Sequence, residues 1–278
     1  MNREKRNMKR ALFASAAAAA AVVGLSAPAE AQNDERIVVP LSDPARPATL
    51  EVSLFNGSIT VTGYDGNEIV IAAREGEDDD EPDRREREGL RRIPNTAVGL
   101  TAEERDNAVS VAVDRNNRGI DLEITVPRRT SVNGRTVNGG ELRIEGVAGD
   151  HELANVNGGI VAADVAGSVV AATTNGDVTV SFTELAPGKA MSFTSFNGDV
   201  EVAFPAGLAA ELRINAGRGE VLTDFDVDVQ PQPSVVERSA EGGRYRVRLE
   251  REVRAVVGGG GAEMSFKTFN GDIVIRRR

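Results

Sequence analysis

A short phrase built on Asn-Gly recurs along the chain, and it constrains the fold more than any other feature of the sequence. Four copies read "LFNGSITV" (54–61), "TTNGDVTV" (173–180), "SFNGDVEV" (195–202) and "TFNGDIVI" (268–275). Two looser copies read "TVNGGELRI" (136–144) and "NVNGGIVA" (155–162). We predict that the asparagines of these copies are structural bends: Asn56, Asn138, Asn157, Asn175, Asn197 and Asn270.

Apolar residues alternate with polar ones on both sides of each Asn-Gly. Around Asn175, for example, Val169 and Ala171 precede the bend, while Val178 and Val180 follow it. A period of two predicts strands with one buried face. The alternation changes phase at each Asn-Gly, which requires a bend, and both residues tolerate a positive φ.

A second series of turns lies between the Asn-Gly bends. Its glycines are Gly149, Gly167, Gly188 and Gly207. The repeating unit is therefore strand, Asn-Gly bend, strand, Ala-Gly bend, and it is about 20 residues long.

Two all-β architectures are compatible with this unit. Asn-Gly is also a strong hairpin signal, which would give an antiparallel meander. A solenoid explains better why alternate turns look alike, because equivalent residues of successive coils lie about 4.8 Å apart. We therefore predict a parallel β-solenoid, or β-helix, of roughly 20-residue coils, with irregular strands at the N-terminal end. Its asparagines would form an amide ladder, with Ser or Thr two positions earlier forming a second one.

Residues 1–31 have the pattern of a signal peptide. Basic "MNREKRNMKR" precedes an apolar run, Ala11–Leu25, and Ala29-Glu30-Ala31 suggests cleavage before Gln32. The apolar run is shorter than the ~20 residues of a spanning helix. We expect an exported protein, in the periplasm or at the cell surface or outside the cell, with residues 32–278 as one domain and no transmembrane segment after cleavage.

Composition excludes several kinds of chemistry. The net charge is −10, which disfavours nucleic acid as a partner, because a polyanion is bound through a basic face. The chain has no cysteine, so neither disulfides nor thiolate catalysis can contribute.

Two segments interrupt the repeat. Residues 74–95 are highly charged and are expected to form a disordered insert. The alternative for this insert is a divalent-cation site on its acidic run, Glu77, Asp78, Asp79, Asp80 and Glu81. Residues 224–262 are expected to form an irregular excursion before the last strand pair.

The inventory of reactive side chains predicts no enzyme. His151 is the only histidine, and its place after the "VAGD" turn suggests exposure. No catalytic, cofactor-binding or metal-binding residues are predicted, and no cofactor. One enzymatic alternative stays open, a polysaccharide-active β-helix whose rim carboxylates would be Asp177, Asp199 and Asp272.

The run "GIDLEITVPRRTSVNGRTVNGGELRIEGVAGDHELANVNGGIVAADVAGSVVAATTNGDVTV" (119–180) resembles a bacterial family of unknown function catalogued as putative adhesins. The strands "SLFNGSITVTGYDGNEIVIAA" and "GGGGAEMSFKTFNGDIVIRRR" resemble its first and last strands, so the likeness covers the whole predicted mature chain. The charged insert and Arg218, which replaces an Asn, depart from the family pattern. The resemblance implies an envelope-associated β-solenoid-like protein without an assigned activity. We expect a non-enzymatic adhesin-like or scaffolding protein of the bacterial envelope, whose partner is an envelope glycan or protein.

Overall fold

The computed structural model describes residues 35–75, 99–113, 119–231, 235–241, 244–250 and 252–278. They belong to one compact unit, Asn33–Arg278. The predicted signal peptide and the acidic run at 77–81 lie outside the described residues. Of the predicted insert, only its first two residues are described, and they end a strand.

The described residues form strands and connecting turns without a helix. The strands are β1 (Glu35–Pro40), β2 (Ala48–Asn56), β3 (Ile59–Tyr64), β4 (Glu68–Glu75), β5 (Leu100–Arg105), β6 (Ala108–Val113), β7 (Ile120–Pro127), β8 (Thr130–Asn138), β9 (Leu142–Glu145), β10 (Ala148–Ala154), β11 (Ile160–Asn175), β12 (Val178–Leu185), β13 (Met191–Asn197), β14 (Val200–Phe204), β15 (Ala210–Ala216), β16 (Val221–Thr223), β17 (Asp228–Gln230), β18 (Val235–Glu241), β19 (Arg244–Glu250), β20 (Val253–Val257), β21 (Ala262–Thr268) and β22 (Ile273–Arg277). The prediction of an all-β chain is confirmed for this part of the sequence.

The strands that precede the Asn-Gly bends pair in parallel with one another and, at the two ends of the series, with β6 and β15. Their order is β6, β2, β8, β10, the second half of β11, β13, β21 and β15, and we call this series the first column. Equivalent residues pair in register, so that Met191 lies beside Met264 and Phe193 beside Phe266. The register follows from the repeat, because each strand offers the same apolar positions to one core.

The strands that follow the Asn-Gly bends form a second column, again parallel, with β7 and β16 at its two ends. Its order is β7, β3, β9, the first half of β11, β12, β14, β22 and β16. We call a strand of the first column and the strand after its bend a layer. Parallel pairing therefore predominates, as the repeat predicted, because successive layers run in the same direction.

Antiparallel strands occur at both ends of the columns. At one end β5 pairs with β6, β4 with β7 and β1 with β4. At the other end β20 pairs with β15 and β17 with β20, while β18 and β19 form a separate hairpin. Residues 224–262 thus contribute four short strands to the fold.

The last repeat of the sequence is not the last layer in space. Strand β21 lies between β13 and β15, and β22 lies between β14 and β16. The C-terminal layer is therefore inserted between two layers that are consecutive in sequence. The bend predicted at Gly167 also differs from expectation, because it lies within the continuous strand β11, where its φ is 112°.

The core runs between the two columns. Ile59, Leu142, Ile160, Val178, Val200 and Ile273 occupy one position in successive layers, and each is fully buried. Four buried phenylalanines pack in the C-terminal half, where Phe182 stacks on Phe204 and Phe193 stacks on Phe266. Val221, at the same position of the outermost strand β16, is 39% exposed, because no further strand of the second column covers it among the described residues.

Candidate functional site

The predicted bend asparagines are brought together in one line along the columns. Asn157 Nδ2 donates to Asn138 Oδ1 across 2.9 Å, and Asn175 Nδ2 donates to Asn157 Oδ1 across 2.8 Å. The line continues from Asn197 to Asn175 (2.8 Å) and from Asn270 to Asn197 (2.7 Å). Asn56 pairs with Asn138 through the register of β2 and β8. We call this line the amide ladder.

Arg218 takes the next position beyond Asn270. Its Nη1 lies 3.5 Å from Asn270 Oδ1, and its guanidinium carbon lies 5.2 Å from the centre of the Phe269 ring. A guanidinium donates but cannot accept a hydrogen bond, so it suits the final acceptor of the ladder. The residue that replaces Asn in this copy of the repeat therefore lies at the end of the asparagine line.

A second ladder runs two positions before each Asn. The hydroxyls of Thr173, Ser195 and Thr268 each donate across 2.8 Å to a glycine carbonyl of the neighbouring layer. Those side chains are buried, so the bonds satisfy polar groups that water cannot reach. The sequence pattern predicted a Ser/Thr column at this position, but the glycine carbonyl as acceptor was not predicted.

The three rim carboxylates considered for catalysis are neighbours. Each accepts a hydrogen bond from a backbone N–H of the next layer, and the backbone amides of Asp199 and Asp272 are themselves two of those donors. Asp177 Oδ1 accepts from the Asp199 amide and Asp199 Oδ1 from the Asp272 amide, each across 2.8 Å. Asp272 Oδ1 accepts from the Glu220 amide across 2.8 Å. One oxygen of each carboxylate is thereby used to hold successive layers in register.

A row of side chains that are apolar except for one threonine lies beside the amide ladder. It consists of the residue that precedes each Asn, namely Phe55, Val137, Val156, Thr174, Phe196 and Phe269, and we call it the pre-Asn row. Phe55, Phe196 and Phe269 are 55%, 50% and 43% exposed. Phe196 and Phe269 stack face to face with ring centres 5.0 Å apart and an angle of 9°. This row was not predicted, although a phenylalanine before Asn is visible in three copies of the repeat.

The expectation for His151 was wrong. Its side chain is 3% exposed and lies in the core, beside Val132 of β8 and Val169 of β11. Its position, six residues before Asn157, is an inward position in every other layer, so the alternation itself could have predicted burial. Proximity to a turn was the weaker signal.

Burial determines the charge state of His151. Neither ring nitrogen has a hydrogen-bond partner among the described residues. Burial lowers the pKa of His151 from 6.5 to about 4, and the neighbouring backbone and Asp150 offset this only in part. Asp150 points outward, where the Ser168 hydroxyl and then Lys189 lower its pKa. At neutral pH His151 is therefore an uncharged residue of the core.

The described residues contain no cluster of three or more acidic or histidine side chains arranged to hold a metal ion. The acidic run considered as a cation site falls outside this region. None of the described segments forms a helix with the length and apolar character that crossing a bilayer requires.

Two solved structures are similar to this chain. One is described as "a putative cell adhesion protein" from Clostridium sporogenes ATCC 15579. It is 12% identical, with a TM-score of 0.41, and the match covers 88% of this chain and 100% of that chain. The other is "a putative adhesin" from Bacteroides fragilis NCTC 9343. It is 11% identical, with a TM-score of 0.27, and the match covers 89% of this chain and 98% of that chain.

At these identities and TM-scores, neither likeness carries an argument about fold or function. No family model matches the chain, and no curated protein matches its sequence.

Proposed function

We propose that this protein is an exported, non-enzymatic binding or scaffolding protein of the bacterial envelope, built as a parallel β-solenoid of roughly 20-residue coils. The supporting observation for the architecture is the amide ladder. Five of the six bend asparagines are joined by side-chain hydrogen bonds of 2.7–2.9 Å from layer to layer. Such a stack produces a long, regular surface, which suits repeated weak contacts with an extended partner.

The non-enzymatic reading rests on the role of the aspartates. A retaining glycosidase needs one carboxylate free to attack and another free to transfer a proton. Here Asp177, Asp199 and Asp272 each hold a backbone amide of the next layer. This favours a structural role for the carboxylates over a catalytic one.

Export is proposed from the N-terminal sequence. Residues 1–31 combine a basic start, an apolar run and a small-residue cleavage motif. Fractionation of the producing bacterium, followed by N-terminal sequencing of the recovered protein, tests this directly. We expect the mature protein to begin at Gln32 and to be absent from the cytoplasm. A cytoplasmic protein that retains its first 31 residues would overturn this proposal.

Binding and catalysis are separated by one assay. Residues 32–278 are incubated with a panel of neutral and acidic polysaccharides, and both retention on the polymer and the release of new reducing ends are measured. We expect retention without new reducing ends. Release of reducing ends that disappears in Asp177→Asn, Asp199→Asn or Asp272→Asn would establish the enzymatic alternative instead.

A further inference from the structure

Two copies of the repeat share a surface that the other copies lack. Phe196-Asn197-Gly198-Asp199 and Phe269-Asn270-Gly271-Asp272 are the two copies with both a phenylalanine before Asn and an aspartate after Gly. They are far apart in sequence but adjacent in space, where Asn197 and Asn270 bridge in parallel. The fold therefore places two copies of the same Phe-Asn-Gly-Asp sequence side by side on the surface.

One face of this aromatic pair has no further aromatic ring against it among the described residues, and Phe196 is 50% exposed. The rings of Phe196 and Phe269 stack on each other, and Arg218 covers the far side of Phe269. On the other side of Phe196 the next residue of the row is Thr174, whose side chain is too short to cover a ring. Val156 and Val137 continue the row in the same direction, until Phe55 closes it. The face of Phe196 that points away from Phe269 thus borders a stretch of smaller side chains, those of Thr174, Val156 and Val137. This stretch is about three layers wide, or roughly 15–20 Å.

Polar groups line this stretch. Asn157, Asn175 and Asn197 each use one N–H and one lone pair within the amide ladder, which leaves a second N–H and a second lone pair for a ligand. The carboxylates of Asp177 and Asp199 lie two residues further along and have one oxygen outside the backbone bond described above. An apolar ring face beside a row of donors and acceptors matches a sugar ring, which has an apolar C–H face and hydroxyls at its edge.

The charge of the surroundings restricts the ligand further. The chain carries a net charge of −10, and aspartates flank the amide ladder at Asp177, Asp199 and Asp272. A uronate or sulfated polymer would be repelled here, because like charges brought together cost free energy. An uncharged polymer meets no such penalty.

The size of the apolar surface argues against a second protein as the occupant. The exposed parts of Phe55, Val156, Phe196 and Phe269 amount to an apolar area on the order of 400 Å². A stable protein interface takes about 800 Å² from each partner. A narrow row fits a thin, extended chain better than a globular surface.

From these observations we infer that the pre-Asn row and the amide ladder bind a neutral linear polysaccharide, with one pyranose ring stacked on the open face of Phe196. This inference rests on the proposed binding function and names its ligand class and site.

The test uses three defined probes: a β-1,4-linked glucose hexamer, a β-1,4-linked N-acetylglucosamine hexamer, and polygalacturonate as the acidic comparison. Binding to residues 32–278 is measured by saturation-transfer NMR and by titration. Two substitutions act on the proposed face in opposite ways. Phe196→Thr removes the ring, and Thr174→Phe covers its open face with another ring of the same stack. Val38→Thr, which changes an equally exposed apolar residue on β1, is the matched control.

We expect at least one neutral hexamer to bind, with affinity reduced about tenfold in both Phe196→Thr and Thr174→Phe and unchanged in Val38→Thr. Polygalacturonate should not bind. Thr174→Phe extends a stack of rings that the fold already contains, so this variant should stay folded. If its melting temperature is at least that of the unmodified chain, a loss of binding in Thr174→Phe is not caused by unfolding. The sugar protons nearest the protein should be those of the apolar ring face.

Three outcomes would overturn the inference. They are equal binding of the neutral probes to all variants, no binding of either neutral probe, and binding of polygalacturonate that depends on Phe196. None of them bears on whether the protein is an exported scaffold. Failure of the proposed function is recognised separately, by new reducing ends in the same samples or by a cytoplasmic location.

Discussion

Asn270 Nδ2 donates to Asn197 Oδ1 across 2.7 Å, although 73 positions separate the two residues in the sequence. The bond joins the C-terminal layer to the layer of β13 and β14. Asn197 also donates to Asn175, so its amide links three layers.

Asn197→Ala should lower the free energy of unfolding by about 1–3 kcal/mol, because it removes two hydrogen bonds and interrupts the amide ladder. The measurement is the urea unfolding transition at neutral pH. Thr194→Ala on the same strand is the control, since Thr194 makes no side-chain hydrogen bond in the described structure, and it should cost less than about 0.5 kcal/mol. Equal effects of the two substitutions would show that the ladder adds no stability.

Gly198→Ala should destabilise the protein by about 2–4 kcal/mol. The φ of Gly198 is +150°, and a Cβ there would lie 2.1 Å from the carbonyl oxygen of Gly176 in the neighbouring layer. The layers would have to separate to admit a methyl group. Gly207→Ala is the matched control, because a Cβ at Gly207 meets nothing within 4 Å. A melting temperature for Gly198→Ala that equals that of Gly207→Ala would contradict the close approach of the layers.

His151 predicts a pH dependence of stability. Its pKa is lowered from 6.5 to about 4 in the folded protein, so the unfolded chain binds the proton more tightly. Stability should therefore decrease as the pH falls from about 6.5 to about 4, by about 3 kcal/mol from this residue, and then level off.

His151→Val isolates that contribution. Valine occupies the equivalent positions on both sides, Val132 and Val169, so the core should accept it. The difference in unfolding free energy between the two proteins is measured at about pH 7.5 and about pH 4.5, and it should grow in favour of the variant at the lower pH. A constant difference would mean that the pKa of His151 is the same in the folded and the unfolded protein.

Asp199→Asn should leave stability nearly unchanged, while Asp199→Ala should lower it by about 1 kcal/mol. An amide oxygen can still accept the backbone N–H of Asp272, which lies 2.8 Å from Asp199 Oδ1, whereas a methyl group cannot. Thermal unfolding of the two variants is the measurement. If the alanine variant were as stable as the asparagine variant, the structural role assigned to this carboxylate would fail.

Phe266→Ala should cost about 3–5 kcal/mol, because its fully buried ring packs against Phe193 and Phe204 in the core. Phe269→Ala, three residues later and on the surface, should cost only about 1 kcal/mol. Unfolding by guanidinium measures both. Since β21 lies between β13 and β15, hydrogen exchange in Phe266→Ala should quicken on both neighbouring strands. Faster exchange on β21 alone would contradict the inserted position of the C-terminal layer.

Most of the fold class was predictable because its signals are local. Alternation around Asn175 and Asn197 reports which side chains face a core, and it requires only neighbouring residues on one strand. The preference for parallel pairing followed from the likeness of the turns. Burial of His151 was also present in that alternation, but proximity to the "VAGD" turn was given more weight.

The candidate surface was less predictable. Phe196 and Phe269 each look like an isolated exposed aromatic in the sequence, and only their adjacency makes a stacked pair with one open face. The catalytic alternative also depended on which residues become neighbours in the folded chain. The aspartates were visible in the sequence, but the backbone N–H groups that donate hydrogen bonds to their carboxylates belong to other layers.

Short-range chemistry in the chain was enough to specify strands, glycine bends and the inward and outward residues of each repeat, because each depends on the conformation of a few adjacent residues. It could not specify the order in which similar layers stack. The copies offer nearly the same apolar positions, and all but the one with Arg218 have the same Asn, so many orders would satisfy the pattern equally well. The choice between them depended on long-range packing, through which β21 and β22 entered between layers already adjacent in sequence. That choice also created the stacked pair of Phe196 and Phe269.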